Sequence, residues 1–170
     1  MYYKSSTVTL VRLMVSVLVL TAFFACTKTG PAGDDLGPYN INAVLHSTDP
    51  KEHAGEGFGL VKFRQDPDTA RIITLDTYLK DLAPNHDYSL QRSVNPITDP
   101  GCSDPSWLTL GLGLVPQNIH TDAHGNGHEQ LFRNVTAVAR GTSFWIHFQV
   151  IDAITLTTVL TGDCEQYTVR

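Results

Sequence analysis

From Tyr39 to the C-terminus the chain alternates apolar and polar residues with a period of two. Tyr39, Ile41, Ala43 and Leu45 alternate with Asn40, Asn42 and His46, the pattern of a half-buried strand whose successive side chains point to opposite faces. Phe58 to Gln65 repeats it and ends at Gln65-Asp66-Pro67-Asp68, where proline presets a turn. Arg71 to Lys80 carries Ile73, Leu75, Thr77 and Leu79 on one face, and Asp87 to Val94 turns Tyr88 and Leu90 inward. A proline-rich loop with Cys102, Asn95 to Ser106, leads to Trp107–Val115, where leucines alternate with Thr109, Gly111 and Gly113. Asn118 to Thr121 and His128 to Val135 flank a glycine-rich segment, Asp122 to Gly127, that reads as a hairpin turn. Phe144, Ile146, Phe148 and Val150 form the clearest inward face, and Thr155–Leu160 and Glu165–Val169 complete the set. No window of about 12 residues holds a helical period. The pattern predicts an all-β domain over 39–170, an antiparallel Greek-key β-sandwich of about 8–10 strands.

One segment carries a more local signature. Leu82-Ala83-Pro84-Asn85-His86-Asp87-Tyr88 matches the L-x-P-x-x-x-Y pattern of a tyrosine corner, in which the Tyr hydroxyl bonds back to the backbone where the chain crosses between sheets. Over Leu75 to Leu90 the chain resembles fibronectin type III domains and other Greek-key sandwiches, although far more chain follows this corner than such a module needs. Gly57-Phe58-Gly59 and the turn Thr121 to Gly127 resemble secreted bacterial sandwiches of the CHRD type. These likenesses imply a fold and carry no function with them.

The N-terminus has a different character. Lys4 and Arg12 precede an uncharged, largely apolar run from Leu13 to Ala25, the length of a signal-peptide core and short of the ~20 residues that cross a bilayer as a helix. The run ends at Phe23-Phe24-Ala25-Cys26 and resembles the lipobox of bacterial lipoproteins, with Phe23 standing where Leu is usual. The resemblance implies a signal helix over 1–25 that is removed, a lipid on Cys26, and attachment to the membrane through that lipid. Thr27, rather than Asp, after the cysteine implies the outer membrane. Residues 26–38, rich in Gly, Pro and small polar groups, read as a flexible tether.

Composition agrees with export. Charged residues are 17% of the chain, against about 25% in typical soluble domains. The 19 threonines against five lysines favour strands. An acidic chain, formal net charge −5, without a basic stripe argues against nucleic acid as a partner. With Cys26 lipidated, Cys102 and Cys164 remain, an even number in an oxidising compartment and an expected disulfide.

Candidate chemistry is sparse. His120, His124 and His128 are spaced by four, but Gly125 and Gly127 rule out a helix that would align them. On a hairpin they could converge with His147 on zinc or copper, depending on register. Trp145 falls on the polar face of its strand, an anchor for a protein or glycan ligand unless a loop covers it. There is no G-x-S-x-G, S-x-x-K, P-loop or dinucleotide motif. The expectation is a non-catalytic, lipid-anchored envelope protein needing no cofactor. The alternatives are a metal-binding domain and a small hydrolase with a loop-built site. Intact mass of the exported protein should begin at Cys26 with added acyl mass, and reductant should add the mass of two hydrogens. An unprocessed chain recovered from the cell interior would refute the lipoprotein reading.

Overall fold

The computed structural model describes residues 39–48, 57–103 and 105–170; the expected signal and tether, and Cys26 with them, lie outside the described residues. Eleven strands and no α-helix occur among the described residues. They are β1 (Asn40–Ser47), β2 (Phe58–Gln65), β3 (Ile72–Lys80), β4 (Asp87–Pro96), β5 (Leu108–Thr109) and β6 (Gly111–Leu112), followed by β7 (Val115–Pro116), β8 (Asn118–His120), β9 (Gly127–Asn134), β10 (Ser143–Asp152) and β11 (Thr158–Thr168).

All of them belong to a single mixed sheet, in the order β5-β4-β10-β11-β1-β2-β3-β9-β6-β7, with β8 also paired to β4. This differs from the expected two-sheet sandwich. β1 pairs with β11 through Leu45–Ser47 and with β2 along most of its length, so no break divides the strands into two layers. The sheet instead curls round until its ends nearly meet, forming an almost closed barrel. β5 pairs with β4, and β6, two residues further on, pairs with β9 in the one parallel contact among the described residues. Near-closure of this kind leaves few unpaired edges.

Most of the alternation read from the sequence survives. Ile41, Ala43, Leu45, Val61, Phe63, Ile73, Leu75, Leu90, Ile146, Phe148 and Val150 are buried in one core. Two segments differ from expectation. Trp107–Val115 is not one strand, because the chain turns at Gly113 and Leu114 between β6 and β7. Gly111 allows that turn: a Cβ there would lie 2.0 Å from the Val115 carbonyl oxygen. Conversely, the two expected C-terminal strands are one, β11, with a bulge. His147 pairs with Cys164 and Gln149 with Thr161, so an extra residue on β11 reverses which parity faces inward. Leu160 and Tyr167 are therefore both buried although they are an odd number of residues apart.

Cys102 and Cys164 form a disulfide with Cα atoms 6.0 Å apart. It fastens the loop after β4 onto β11, opposite His147. A closed loop with a sequence separation of 62 stabilises the fold by about 4 kcal/mol in the chain-entropy model.

One end of the barrel is sealed by the crossing from β3 to β4. The buried Tyr88 hydroxyl accepts the Ala83 N–H at 3.1 Å, and Leu82 packs against the core. Buried Thr121 donates its hydroxyl to the Ala83 carbonyl at 2.7 Å and accepts the His86 N–H at 3.0 Å. The Leu82 and Asn85 N–H groups bond to the Gly125 and Asp122 carbonyls. Gly125 has φ +78°, and a Cβ there would meet the Leu82 carbonyl oxygen at 2.1 Å. Replacing Tyr88 by Phe removes one hydrogen bond and leaves the Ala83 N–H to be resolvated. Urea unfolding of Tyr88→Phe should lose about 1–3 kcal/mol; an unchanged midpoint would show the bond contributes nothing.

Candidate functional site

The opposite end is built differently. Register places Asn40 beside Arg64, Gln65 beside Ile73, and Ile72 beside Asn134, so the start of β1 and the end of β9 share this end. Here the inward alternation meets two arginines. On β4 it reads Tyr88, Leu90, Arg92, Val94, and on β9 Leu131, Arg133, with Val135 just beyond. Arg92 and Arg133, with Phe63, Leu75, Phe144 and Phe148 among their neighbours, line a cavity of about 140 Å³. That is the scale of an apolar protein cavity that holds a benzene-sized guest.

The cavity follows from incomplete closure. β8 covers the edge of β4 over Asp87–Ser89, and β5 covers it over Gln91 and Arg92. On the other side, β6 meets β9 only at Phe132, extended by the Gly113 N–H to the Phe132 carbonyl at 3.0 Å. Past Arg92 and Phe132, among the described residues, no strand joins the two edges.

Arg133 donates to the Gly113 carbonyl at 2.9 Å and holds the β6–β7 turn against β9. Arg92 makes no hydrogen bond or ion pair among the described residues. Burial against apolar walls lowers its pKa, and the Arg133 charge lowers it further, yet a guanidinium remains protonated at neutral pH. Deeper at this end, buried Tyr167 donates to Gln65 Oε1, which also accepts the Arg170 N–H at 2.7 Å. Burial pushes the Tyr167 hydroxyl far above the usual tyrosine range, against the smaller opposing effect of the Arg71 and Arg170 charges.

All six arginines among the described residues, Arg64, Arg71, Arg92, Arg133, Arg140 and Arg170, fall in this half of the barrel or its loops. None forms a salt bridge with another of the described residues. The neighbouring acids Asp66 and Asp68 sit in the exposed β2–β3 turn, where Asp68 accepts the Arg71 N–H.

The four histidines of the alternative metal-binding reading are not brought together. His120 Nδ1 lies 2.8 Å from Asp87 Oδ1. His128 Nε2 lies 2.6 Å from Asp76 Oδ1, with its ring stacked on Tyr78. His124 is exposed in the turn, its N–H bonded to Asp122. His147 reaches Thr161 Oγ1 at 3.1 Å and packs against Trp107. Among the described residues no group of three or more His, Cys, Asp or Glu is placed to hold a metal ion. β8 leaves β9 beyond the Thr121–Gly127 bridge to pair with β4, while β9 pairs with β3, so His120 and His128 are carried to different neighbours and the alternative zinc or copper cluster is not assembled. Trp145 is half-buried, and its indole N–H donates to the Ile97 carbonyl at 3.1 Å, so the loop that the disulfide anchors takes its polar edge.

Sequence reasoning passed over Arg92 and Arg133. The signal was present: continuing the Tyr88, Leu90 alternation by one step puts a charge on the buried face. Compared with models of known protein families, with curated proteins and with solved structures, the chain finds no significant match in any of the three.

The Asp76 network gives a pH prediction. Partial burial raises the Asp76 carboxyl, but hydrogen bonds from Tyr78 and His128 and the charges of His128 and Lys62 outweigh it and leave it below its ordinary value. A carboxyl depressed in the fold contributes stability above its unfolded pKa and loses it as pH falls through the folded one. Stability should therefore decline as pH drops below about 4, and Asp76→Asn should decline less steeply. Parallel urea-midpoint curves for the two proteins would refute this.

Proposed function

We propose that this is a non-catalytic, lipid-anchored protein of the bacterial outer membrane whose barrel binds a small, largely apolar ligand in its interior. The observation that supports it is the cavity of about 140 Å³ between the unpaired edges of β4 and β9. Binding sites are characteristically concave and mostly apolar, with a few polar groups that orient the ligand, and this cavity has that composition. The indole of Trp145 is already engaged by Ile97, which moves the reading from a surface anchor to the interior. Anchoring rests on the likeness of Phe23–Cys26 to a lipobox.

Toluene is a suitable neutral probe. Bound ligand stabilises the folded state by mass action, so thermal unfolding of the wild-type protein should shift upward with toluene concentration. Val94→Phe, which extends a ring into the cavity, should abolish the shift while circular dichroism stays unchanged. No shift in the wild type, or an equal shift in both proteins, would overturn the reading.

A further inference from the structure

We infer that the cavity selects an anionic ligand, one with a carboxylate or phosphate head held by Arg92 and Arg133 and a short apolar body lodged among Phe63, Phe144, Ile146 and Phe148. The inference rests on the interior-binding reading and names the ligand class.

Three observations carry it. First, Arg92 occupies an inward position on a strand whose other inward residues are Tyr88, Leu90 and Val94, and it has no partner among the described residues. A guanidinium presents five donors in a planar fork, and holding one against apolar walls is unfavourable unless something pairs with it. Second, Arg133 lines the same cavity, where its charge opposes that of Arg92. Two like charges bordering one apolar space are relieved by an anion between them. Arg133 is already bonded to the Gly113 carbonyl, so among the described residues Arg92 is the unengaged fork and Arg133 the fixed one. Third, the other arginines of this end are satisfied mostly by backbone carbonyls rather than carboxylates. Arg71 donates to Thr136 and Val138, and Arg64 to Ile41 and Phe63. Among the described residues no carboxylate neutralises their charge in a chain whose net charge is −5, so the opening attracts anions although the protein as a whole repels them.

The size of the cavity limits the apolar body to about six carbons, given that a comparable cavity accommodates benzene. Guanidinium pairs with carboxylate and phosphate through charge-assisted, often bidentate hydrogen bonds, which a neutral alcohol cannot match.

Isothermal titration of the full chain with hexanoate, hexyl phosphate, hexanol and hexylammonium tests this. Hexanoate or hexyl phosphate should bind at least about tenfold more tightly than hexanol, and hexylammonium more weakly than hexanol. The tighter of the two anions distinguishes a free carboxylate from a phosphate ester. Arg92→Met keeps the apolar stem and removes the fork; it should erase the preference for the anions while retaining hexanol binding, and Arg92→Lys should restore part of it. Hexanol binding as tightly as both anions, or an anion preference that survives Arg92→Met, would overturn the inference and leave interior binding standing. Failure of all four probes to bind would overturn both.

Discussion

A chain that leaves β3 for a strand on the far side of a barrel end must hold that crossing without a sheet ladder. Leu82 to His86 do so by borrowing partners from the β8–β9 turn. Thr121 satisfies two backbone groups of the crossing with one hydroxyl, the Tyr88 hydroxyl takes a third, and the turn's carbonyls take two more. Backbone polar groups buried away from water must be paired, and here the pairing joins the crossing and the turn into a lid. Gly125 permits the close approach because no other residue has room beside the Leu82 carbonyl. β8 is hydrogen-bonded to β4 in the same neighbourhood, and the Thr121–Gly127 bridge links it to the start of β9.

The other end inherits the consequence. β5 and β6 are two residues each and leave β4 and β9 after the middle of the barrel. The upper reaches of both strands then have inward side chains without a facing strand between them, and a cavity results. Arg92 and Arg133 stand at this boundary. A leucine at either place would fill space and extend the core; an arginine instead sets a charge beside apolar walls. The proposed binding role thus falls at the positions where the sheet fails to close.

A second layer lies outside the sheet. The loop after β4 is held on the outer face of β10 and β11 by the Cys102–Cys164 bridge and by the Trp145 indole. Under it Ser93 and Asn95 are buried, and the Ser93 hydroxyl accepts the Ser106 N–H. Gln149 donates to Gln91 and accepts from Thr158 across neighbouring strands. These outward polar positions read as solvent-facing in a period-two pattern, yet the loop encloses several of them. Asp152 stabilises the adjoining β10–β11 turn by accepting the Thr155 and Ile154 N–H groups, and these, with His86, hold its carboxyl low against the opposing effect of burial.

Much of this was legible along the chain. The strand positions of β1 to β4, β9 and β10, the inward faces of β1 to β4 and β10, and the glycine turn follow from alternation and from residues that demand particular backbone angles. Those preferences are local, so the sequence by itself determined an all-β chain with a defined core face. The cysteine count likewise suggested a bridge without specifying what it would fasten. Three things were decided only by the tertiary structure. The sheet is one curling barrel rather than two layers, because β1 pairs on both edges, and alternation within a strand is silent about its neighbours. His120, His128 and His147 take separate acidic or hydroxyl partners, because β8 pairs with β4 while β9 pairs with β3, a choice of neighbour on which alternation along the chain is silent. Arg92 and Arg133 face a common space, because residues 41 apart meet only when the strands that carry them are folded around the same interior.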